Sequence, residues 1–328
     1  MLNRRRAAVF CFLSTTLSGL AAAQPAAWQP SKTIEIIAPA GAGSALDQTA
    51  RALQRVLQGR KLVDPSVVVA NKAGGGQALG FLYLNQHPAD AHYLSIGTIS
   101  LLTNRITGIN PLNYEDVTPI SNLVAEYVVF AVPTDSGLRS GKDLADRLRA
   151  DPASVSIAFS GSLGNHNHMA IGLVGKAAGA DVRKLKTVVF NSGGELTAAA
   201  LGGHVDVAVG GSSVFAGQVQ AGRMRLLAVT SPKRLAGKLS AVPTWAELNL
   251  PASFATFRGI VGPKGLPAAP VHYWESQLLK VSATEEWKDF LRASDSESFF
   301  LGSTDFRRFL ETENTRIRGV LSELGLAK

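Results

Sequence analysis

The turn from Ala40 to Asp47 has the residue types and spacing of an anion-binding site. It follows a predicted strand with the β-branched residues Ile34, Ile36 and Ile37, and Gly41 and Gly43 leave its backbone N–H groups uncovered. Ser44 and Asp47 stand three residues apart, as in a helix capping pair, so a helix is predicted to begin within the turn. Free N–H groups at a helix N-terminus, aided by the helix dipole, favour a carboxylate or a phosphate. The candidate ligand-binding residues here are Gly41, Gly43, Ser44, Ala45 and Asp47.

Three polar, glycine-bearing turns follow later predicted strands. They are Ser160 to Asn165, Asn191 to Gly194 and Gly210 to Ser213. In open parallel sheets the turns at the carboxyl ends of the strands line one crevice, where ligands bind. The sequence therefore predicts a crevice lined by Gly, Ser and Asn, which are residues suited to binding rather than to reaction.

A serine nucleophile is the catalytic alternative. The stretch Ser160-Gly-Ser162-Leu-Gly164 is comparable to a nucleophile elbow, but Ser160 stands where that motif requires glycine. Hydroxyl groups that hold a ligand are the favoured interpretation. A secreted hydrolase that uses Ser160 or Ser162 stays open as an alternative, and turnover of a ligand to product would distinguish it.

Nucleotide and metal sites are not supported by the spacing of the glycines and histidines. Gly74, Gly76 and Gly80 give G-x-G-x-x-x-G instead of the dinucleotide pattern G-x-G-x-x-G, so a glycine turn with close helix packing is predicted. His166 and His168 fall in the first turn of a predicted helix, where positions i and i+2 diverge. The sequence predicts neither a cofactor nor a metal.

The first 23 residues have the pattern of a cleavable signal peptide. Arg4 to Arg6 precede the apolar run Ala7 to Leu20, and Ala21 to Ala23 offer a cleavage site. The apolar run is short of the ~20 residues that span a bilayer. We therefore expect export to the periplasm, by general secretion or by the twin-arginine route. The only cysteine, Cys11, lies in this leader.

Composition argues against a nucleic-acid partner. The chain has 328 residues, a formal net charge of +8, 46% hydrophobic residues and 18% charged residues, as in soluble globular proteins. Its basic residues are scattered, and the densest group, Arg183, Lys184 and Lys186, has no aromatic residues interleaved. A solvated basic surface is predicted.

Strands and helices alternate along the chain, which predicts an α/β fold with a parallel sheet covered on both faces. The predicted strands begin at Ile34 and continue with 67–70, 93–97, 155–159, 187–190, 205–209, 226–230 and 257–261, with an extended apolar segment at 118–132. The predicted helices begin at Ser44 and continue with 77–85, 142–150, 270–281 and 285–292, and a last helix begins at Thr304.

Five motifs in register resemble one known family. They are Pro39-x-x-x-Gly-Ser-Ala-Leu-Asp-Gln-Thr-Ala-Arg51, Asn71-Lys-Ala-Gly-Gly-Gly76, Leu201-Gly-Gly-His-Val-Asp206, Gln220-Ala-Gly-Arg-Met-Arg-Leu-Leu-Ala-Val-Thr-Ser-Pro-Lys-Arg234 and Val242-Pro-Thr-Trp-Ala-Glu247. With the leader, they resemble the Bug family of periplasmic solute-binding receptors, which serve tripartite tricarboxylate transporters. The similarity covers essentially the whole mature chain.

The resemblance implies a two-domain periplasmic-binding-protein fold of Venus-flytrap, type II-like architecture, with two crossover strands. Residues 24–123 with 232–328 would form domain 1, and residues 124–231 would form domain 2. The protein would be a monomer without enzyme activity that delivers a small organic carboxylate to integral-membrane transporter subunits; a sensor receptor that presents its ligand to a membrane kinase is the alternative. Carried over by position, the ligand loops add Thr98, Ser100, Ser160, Ser162, Asn165, Asn191, Ser192, Gly193 and Ser212.

Arg258 departs from the pattern of that family, which usually carries an aromatic residue there. If its guanidinium points into the crevice, it could pair with a distal carboxylate and select dicarboxylates. The alternative is an exposed arginine on the far face of its strand. The sequence leaves both interpretations open.

The leader generates a first testable prediction. We expect the mature protein to begin near Gln24 and to be recovered from the periplasm as a soluble protein. N-terminal sequencing of exported protein measures this, and an intact Met1 in a membrane fraction would contradict it.

Overall fold

Ten β-strands form one mixed sheet in the computed structural model, which describes residues 28–328. The predicted signal peptide lies outside the described residues. The strands are β1 (Ile34–Ala38), β2 (Val67–Asn71), β3 (Tyr93–Thr98), β4 (Val117–Pro133), β5 (Ser156–Ser160), β6 (Lys186–Phe190), β7 (Val207–Gly211), β8 (Met224–Val229), β9 (Ala255–Pro263) and β10 (Glu297–Leu301).

Ten α-helices connect and cover these strands within the described part of the chain. They are α1 (Ala45–Gly59), α2 (Ala78–Asn85), α3 (Ser100–Thr107), α4 (Gly141–Ala150), α5 (His166–Ala177), α6 (Gly193–Leu201), α7 (Ser212–Gln220), α8 (Ala268–Ala283), α9 (Glu285–Ala293) and α10 (Ser303–Glu323). Over residues 28–328, no helix combines the length and the apolar character needed to cross a membrane.

The sheet has two halves that share strand β4. Its strand order is β2-β1-β3-β9-β4-β7-β5-β6, and β8 and β10 also pair with β4. Up to Tyr127, β4 pairs with β9 and β10; from Val128 onward it pairs with β7 and β8. The chain crosses back beside β4, where Thr230 N donates to Val128 O and Phe254 N donates to Thr230 O. Strand β4 is therefore one of two segments that join the halves.

The prediction of a fully parallel sheet is wrong at the centre. Strands β2, β1 and β3 run parallel, as do β7, β5 and β6, but β9 is antiparallel to β3, and β4 is antiparallel to every strand it contacts. Strand β4 follows helix α3 and runs in the same direction as β3, but β9 is inserted between these two strands. Strand β9 returns from the other half through residues 230–254, which contain no α-helix, so helix–strand alternation does not set its direction. Strand β10 was not predicted.

The apolar stripe predicted for the first helix forms its core face. Ala50, Leu53 and Leu57 of α1 are fully buried or nearly so, and Leu46 is partly buried against the same core. The predicted capping pair is half formed, since Ser44 Oγ accepts from Asp47 N (3.3 Å), whereas the Asp47 carboxylate accepts from Gly43 N and not from Ser44 N. The Asp47 carboxylate therefore holds the backbone at Gly43, one residue before the Ser44 N–H that it would bind in a reciprocal capping box.

Gly80 of α2 is buried against the segment that precedes the ligand turn. A Cβ at this position would lie 2.6 Å from Pro39 Cβ and 3.0 Å from Pro39 Cα. This agrees with the predicted close helix packing, and it means that any side chain here displaces backbone.

Two glycine substitutions within helices should therefore have opposite effects. We expect Gly80→Ala to lower the free energy of unfolding by about 1–3 kcal/mol because of this overlap. Gly319→Ala in α10, where a Cβ would meet nothing within 4 Å, should raise it by roughly 0.4–1 kcal/mol. Urea unfolding measures both changes; an equal effect of the two would contradict the packing at Gly80.

Candidate functional site

A cavity of about 450 Å³ is lined by residues of both sheet halves. Its wall includes the starts of α1 and α3 from one half, the starts of α5 and α7 from the other, and residues of β4 and β9 between them. Four helix N-termini thus converge on one space.

These four helix starts make the cavity favourable for an anion. Each helix N-terminus acts as roughly half a positive charge and leaves backbone N–H groups without intrahelical partners. Ala45 N and Leu46 N at the start of α1, and His166 N at the start of α5, make no hydrogen bond with any residue of 28–328. Among the described residues that line the cavity, Arg258 is the only arginine or lysine.

Asp47 holds the first ligand turn in shape from behind the cavity wall. The residue is only 3% exposed, and its carboxylate accepts from Gly43 N (2.9 Å), Arg51 Nε (3.0 Å) and Asn71 Nδ2 (3.0 Å). The hydrogen bond with Arg51 lowers the pKa of Asp47, although burial opposes the shift. Asp47 therefore positions the free N–H groups of α1.

Asn165 has the same supporting function at the start of α5. Its Oδ1 accepts from Asn167 N (3.0 Å) and His168 N (3.1 Å), and its Nδ2 donates to Ser160 O (2.8 Å). The side chain lines the cavity but is already bonded on both sides, so it shapes the turn that carries Ser160 and Ser162.

His168 supports this turn from beneath. The residue is 6% exposed, stacks on Phe159 at a centroid distance of 5.0 Å, and its Nδ1 accepts from Gly164 N (3.1 Å). Burial lowers the pKa of His168 to about 4. The turn is thus held by a neutral imidazole.

Arg258 lies in the wall of the cavity and is paired with Glu126. It is 5% exposed, so the interpretation as an exposed arginine is wrong. Its Nη2 donates to Glu126 Oε2, and its Nη1 donates to Thr49 Oγ1 (3.2 Å). The guanidinium therefore reaches the crevice with its charge already neutralised.

Sequence reasoning missed Glu126, His166 and Asn167, which all line the cavity. Glu126 falls within the extended apolar segment, and the signal that could have found it is a lone carboxylate in a run of core residues, because a buried charge requires a partner. Burial lowers the pKa of His166, outweighing the opposing charge of Glu126. Asn167 is 5% exposed, and its Oδ1 has no hydrogen-bond partner among the described residues.

The residues predicted from sequence separate into two groups. Those that line the cavity are Ser44, Ala45, Thr98, Ser100, Ser160, Ser162, Asn165 and Arg258. Those that do not are Gly41, Gly43, Asp47, Asn191, Ser192, Gly193 and Ser212.

The position of β6 explains why the Asn191 turn stays away from the cavity. Strand β6 is at the outer end of the sheet, separated from β4 by β5 and β7, so the turn that follows it is remote from the centre. Ser192 Oγ accepts from Glu195 N at the start of α6 (3.2 Å). Ser212 Oγ, at the start of α7, donates instead to Asp295 Oδ2 (2.8 Å).

The described residues show no catalytic constellation around the two candidate serines. Neither Ser160 Oγ nor Ser162 Oγ hydrogen-bonds a histidine or a carboxylate of residues 28–328. In the same part of the chain, no group of three or more His, Cys, Asp or Glu side chains could hold a metal ion.

Comparison with known proteins gives consistent matches along the chain. Residues 49–326 match the model of the tripartite tricarboxylate transporter family receptor. Protein BugT of Bordetella pertussis is 26% identical over 329 residues, which cover 99% of this chain and 98% of BugT.

Two solved structures have a similar fold. A TctC solute binding protein from Polaromonas, solved without ligand, superposes with a TM-score of 0.76 and 23% identity, covering 90% of this chain and 99% of that one. A protein of R. palustris, solved with adipate, superposes with a TM-score of 0.74 and 24% identity, covering 91% of this chain and 99% of that one. These superpositions confirm the expected periplasmic-binding-protein fold.

The buried imidazole of His168 predicts a specific pH dependence. Because its pKa of about 4 lies below the ordinary ~6.5, the unfolded state takes up a proton first as the pH falls. His168 therefore contributes stability that is full above pH ~6.5 and is lost towards pH 4, by about 3 kcal/mol.

Paired unfolding curves at several pH values measure this contribution. His168→Gln should flatten the fall in the free energy of unfolding between pH 6.5 and 4, whereas His272→Gln, at an exposed histidine, should not. If the free energy of unfolding falls with pH equally in the wild type and in His168→Gln, the lowered pKa of His168 does not cause the fall.

Proposed function

We propose that this chain, which belongs to the tripartite tricarboxylate transporter family of receptors, captures a small organic carboxylate between the two halves of its sheet and delivers it unchanged to a membrane transporter. The observation that carries the proposal is the convergence of four helix N-termini on one cavity. Such ends bind a carboxylate through backbone N–H groups without a dedicated lysine or arginine.

The expected strength of binding suits capture and release. Roughly four to six charge-assisted hydrogen bonds at ~1.5–3 kcal/mol each, less an association cost of ~4–15 kcal/mol, leave a moderate net affinity. The R. palustris neighbour, which was solved with adipate, supports a carboxylate as the class of ligand. Ser160, which lines the cavity, would add a side-chain hydrogen bond to the ligand or to a bridging water.

The place of action follows from the family and the leader. The family is periplasmic, and the Arg-rich, short apolar start of this chain supports export to the same compartment. Residues 24–123 with 232–328 would form one domain and residues 124–231 the other. The change of partners along β4 between Tyr127 and Val128, close to residue 124, supports this division.

A ligand screen tests the proposed function. We expect at least one mono-, di- or tricarboxylate to raise the melting temperature of the mature protein, and calorimetry to show that it binds without turnover. Ser160→Ala should weaken the binding of that ligand by about 1–3 kcal/mol, because one hydrogen bond is lost.

Ser192→Ala is the control, since Ser192 lies just after the neighbouring strand β6, as Ser160 lies at the end of β5, but does not line the cavity. Its affinity should equal that of the wild type. Unchanged binding in Ser160→Ala, or release of a hydrolysed product, would contradict the proposal.

A further inference from the structure

Glu126 is the only carboxylate among the described residues that line the cavity. Its Oε2 accepts from Arg258, whereas its Oε1 accepts no hydrogen bond from any residue of 28–328. The side chain of Glu126 is 21% exposed and that of Arg258 is 6% exposed. The Glu126 carboxylate, which is the hydrogen-bond acceptor, is therefore the more accessible part of the ion pair.

Gly211 at the start of α7 leaves room for this oxygen. A Cβ on Gly211 would lie 2.9 Å from Glu126 Oε1, closer than real Cβ contacts allow. Both residues line the cavity, so the free carboxylate oxygen is held at its wall beside a helix N-terminus.

The first turn of α5 adds two further polar groups to the same cavity. Asn167 Oδ1 is a buried acceptor without a donor among the described residues. His166 precedes it, and burial lowers the pKa of His166, so its neutral imidazole offers one acceptor nitrogen and one donor nitrogen. A ligand that brings hydrogen-bond donors satisfies the free oxygen of Glu126, whereas a second carboxylate on the ligand brings only acceptors.

Charge balance favours the same kind of ligand. Glu126 and Arg258 together have no net charge. A second carboxylate of the ligand would therefore gain little electrostatic attraction from Arg258 and would be repelled by the like charge of Glu126. A zwitterion places its carboxylate on the helix N-termini and its cation near Glu126, and the occupied cavity then stays neutral.

We propose that the ligand is an amino-carboxylate whose protonated amine is received by Glu126 Oε1. This specificity rests on the proposed function, because the helix N-termini must hold the carboxylate of the same ligand. Glu126 is then the residue that discriminates against dicarboxylates.

Calorimetry of the mature wild-type protein with matched ligands tests the specificity. The probes are the twenty common α-amino acids, 4-aminobutyrate with 4-hydroxybutyrate and succinate, and 6-aminohexanoate with 6-hydroxyhexanoate and adipate. At least one amino-carboxylate should bind at least tenfold more tightly than every hydroxy acid and every dicarboxylate of the set. If a dicarboxylate or hydroxy acid binds as tightly as any amino-carboxylate, the specificity is wrong and the proposed function stands. If no carboxylate of any kind binds, the proposed function itself fails.

Glu126→Gln tests the residue. We expect the affinity for the amino-carboxylate to fall at least tenfold and the affinity for its dicarboxylate analogue to rise at least tenfold, because Arg258 regains an uncompensated charge. If Glu126 has a purely structural role, Glu126→Gln should lower the affinities for both ligands alike. That result would overturn the proposal that Glu126 receives the amine.

Two further variants complete the test. Glu297→Gln removes a carboxylate that bonds Tyr127, next to Glu126, but does not line the cavity, and both affinities should stay within twofold. If Glu126→Gln does not fold, Glu126→Gln/Arg258→Met removes both charges together. The double variant should lose the preference for the amine, and a preference retained there would overturn the assignment.

Discussion

The change of partners along β4 is the constraint on which the site depends. One continuous strand pairs with β9 and β10 up to Tyr127 and with β7 and β8 from Val128 onward. The two sheet halves are consequently fixed to each other by backbone hydrogen bonds at this junction. Glu126 precedes Tyr127, so the only carboxylate among the described residues that line the cavity lies where the halves meet.

Backbone groups, more than charged side chains, account for the positive electrostatic potential expected in the cavity. Each contributing helix needs a cap that leaves its first N–H groups free, and Ser44 and Asn165 meet this need in different ways. Ser44 accepts a single bond in the first turn, whereas Asn165 accepts two and also ties back to Ser160 O. Asp47 and His168 then hold the turns from behind, so the polarity of the wall depends on buried residues that do not reach the ligand space.

Local features of the sequence predicted local structure, and long-range pairing accounts for most of what was missed. The predicted helix at 142–150 lies within α4, which Ser140 and Asp143 start with a reciprocal capping box, and the predicted strand at 257–261 lies within β9. The direction of β4 and β9, the pairing of β10 and the remoteness of the Asn191 turn depend on strand order, which no local pattern encodes. For the same reason Arg258 was noticed but its partner was not, since the two are separated by 132 positions. The family and the fold followed from motifs; the partner of Arg258 in the cavity wall did not.

The two segments that join the halves also determine how the molecule can deform. Near Val128, β4 and the returning chain at Thr230 lie side by side and are hydrogen-bonded to each other. Two adjacent attachment points define a line, and rotation about that line needs only small changes of backbone dihedral angles in each segment. Rotation about any perpendicular axis would stretch one segment and compress the other, which covalent geometry resists. The pair of connecting segments is thus mechanically anisotropic, since it resists twist more than bending about the line that joins its two attachment points.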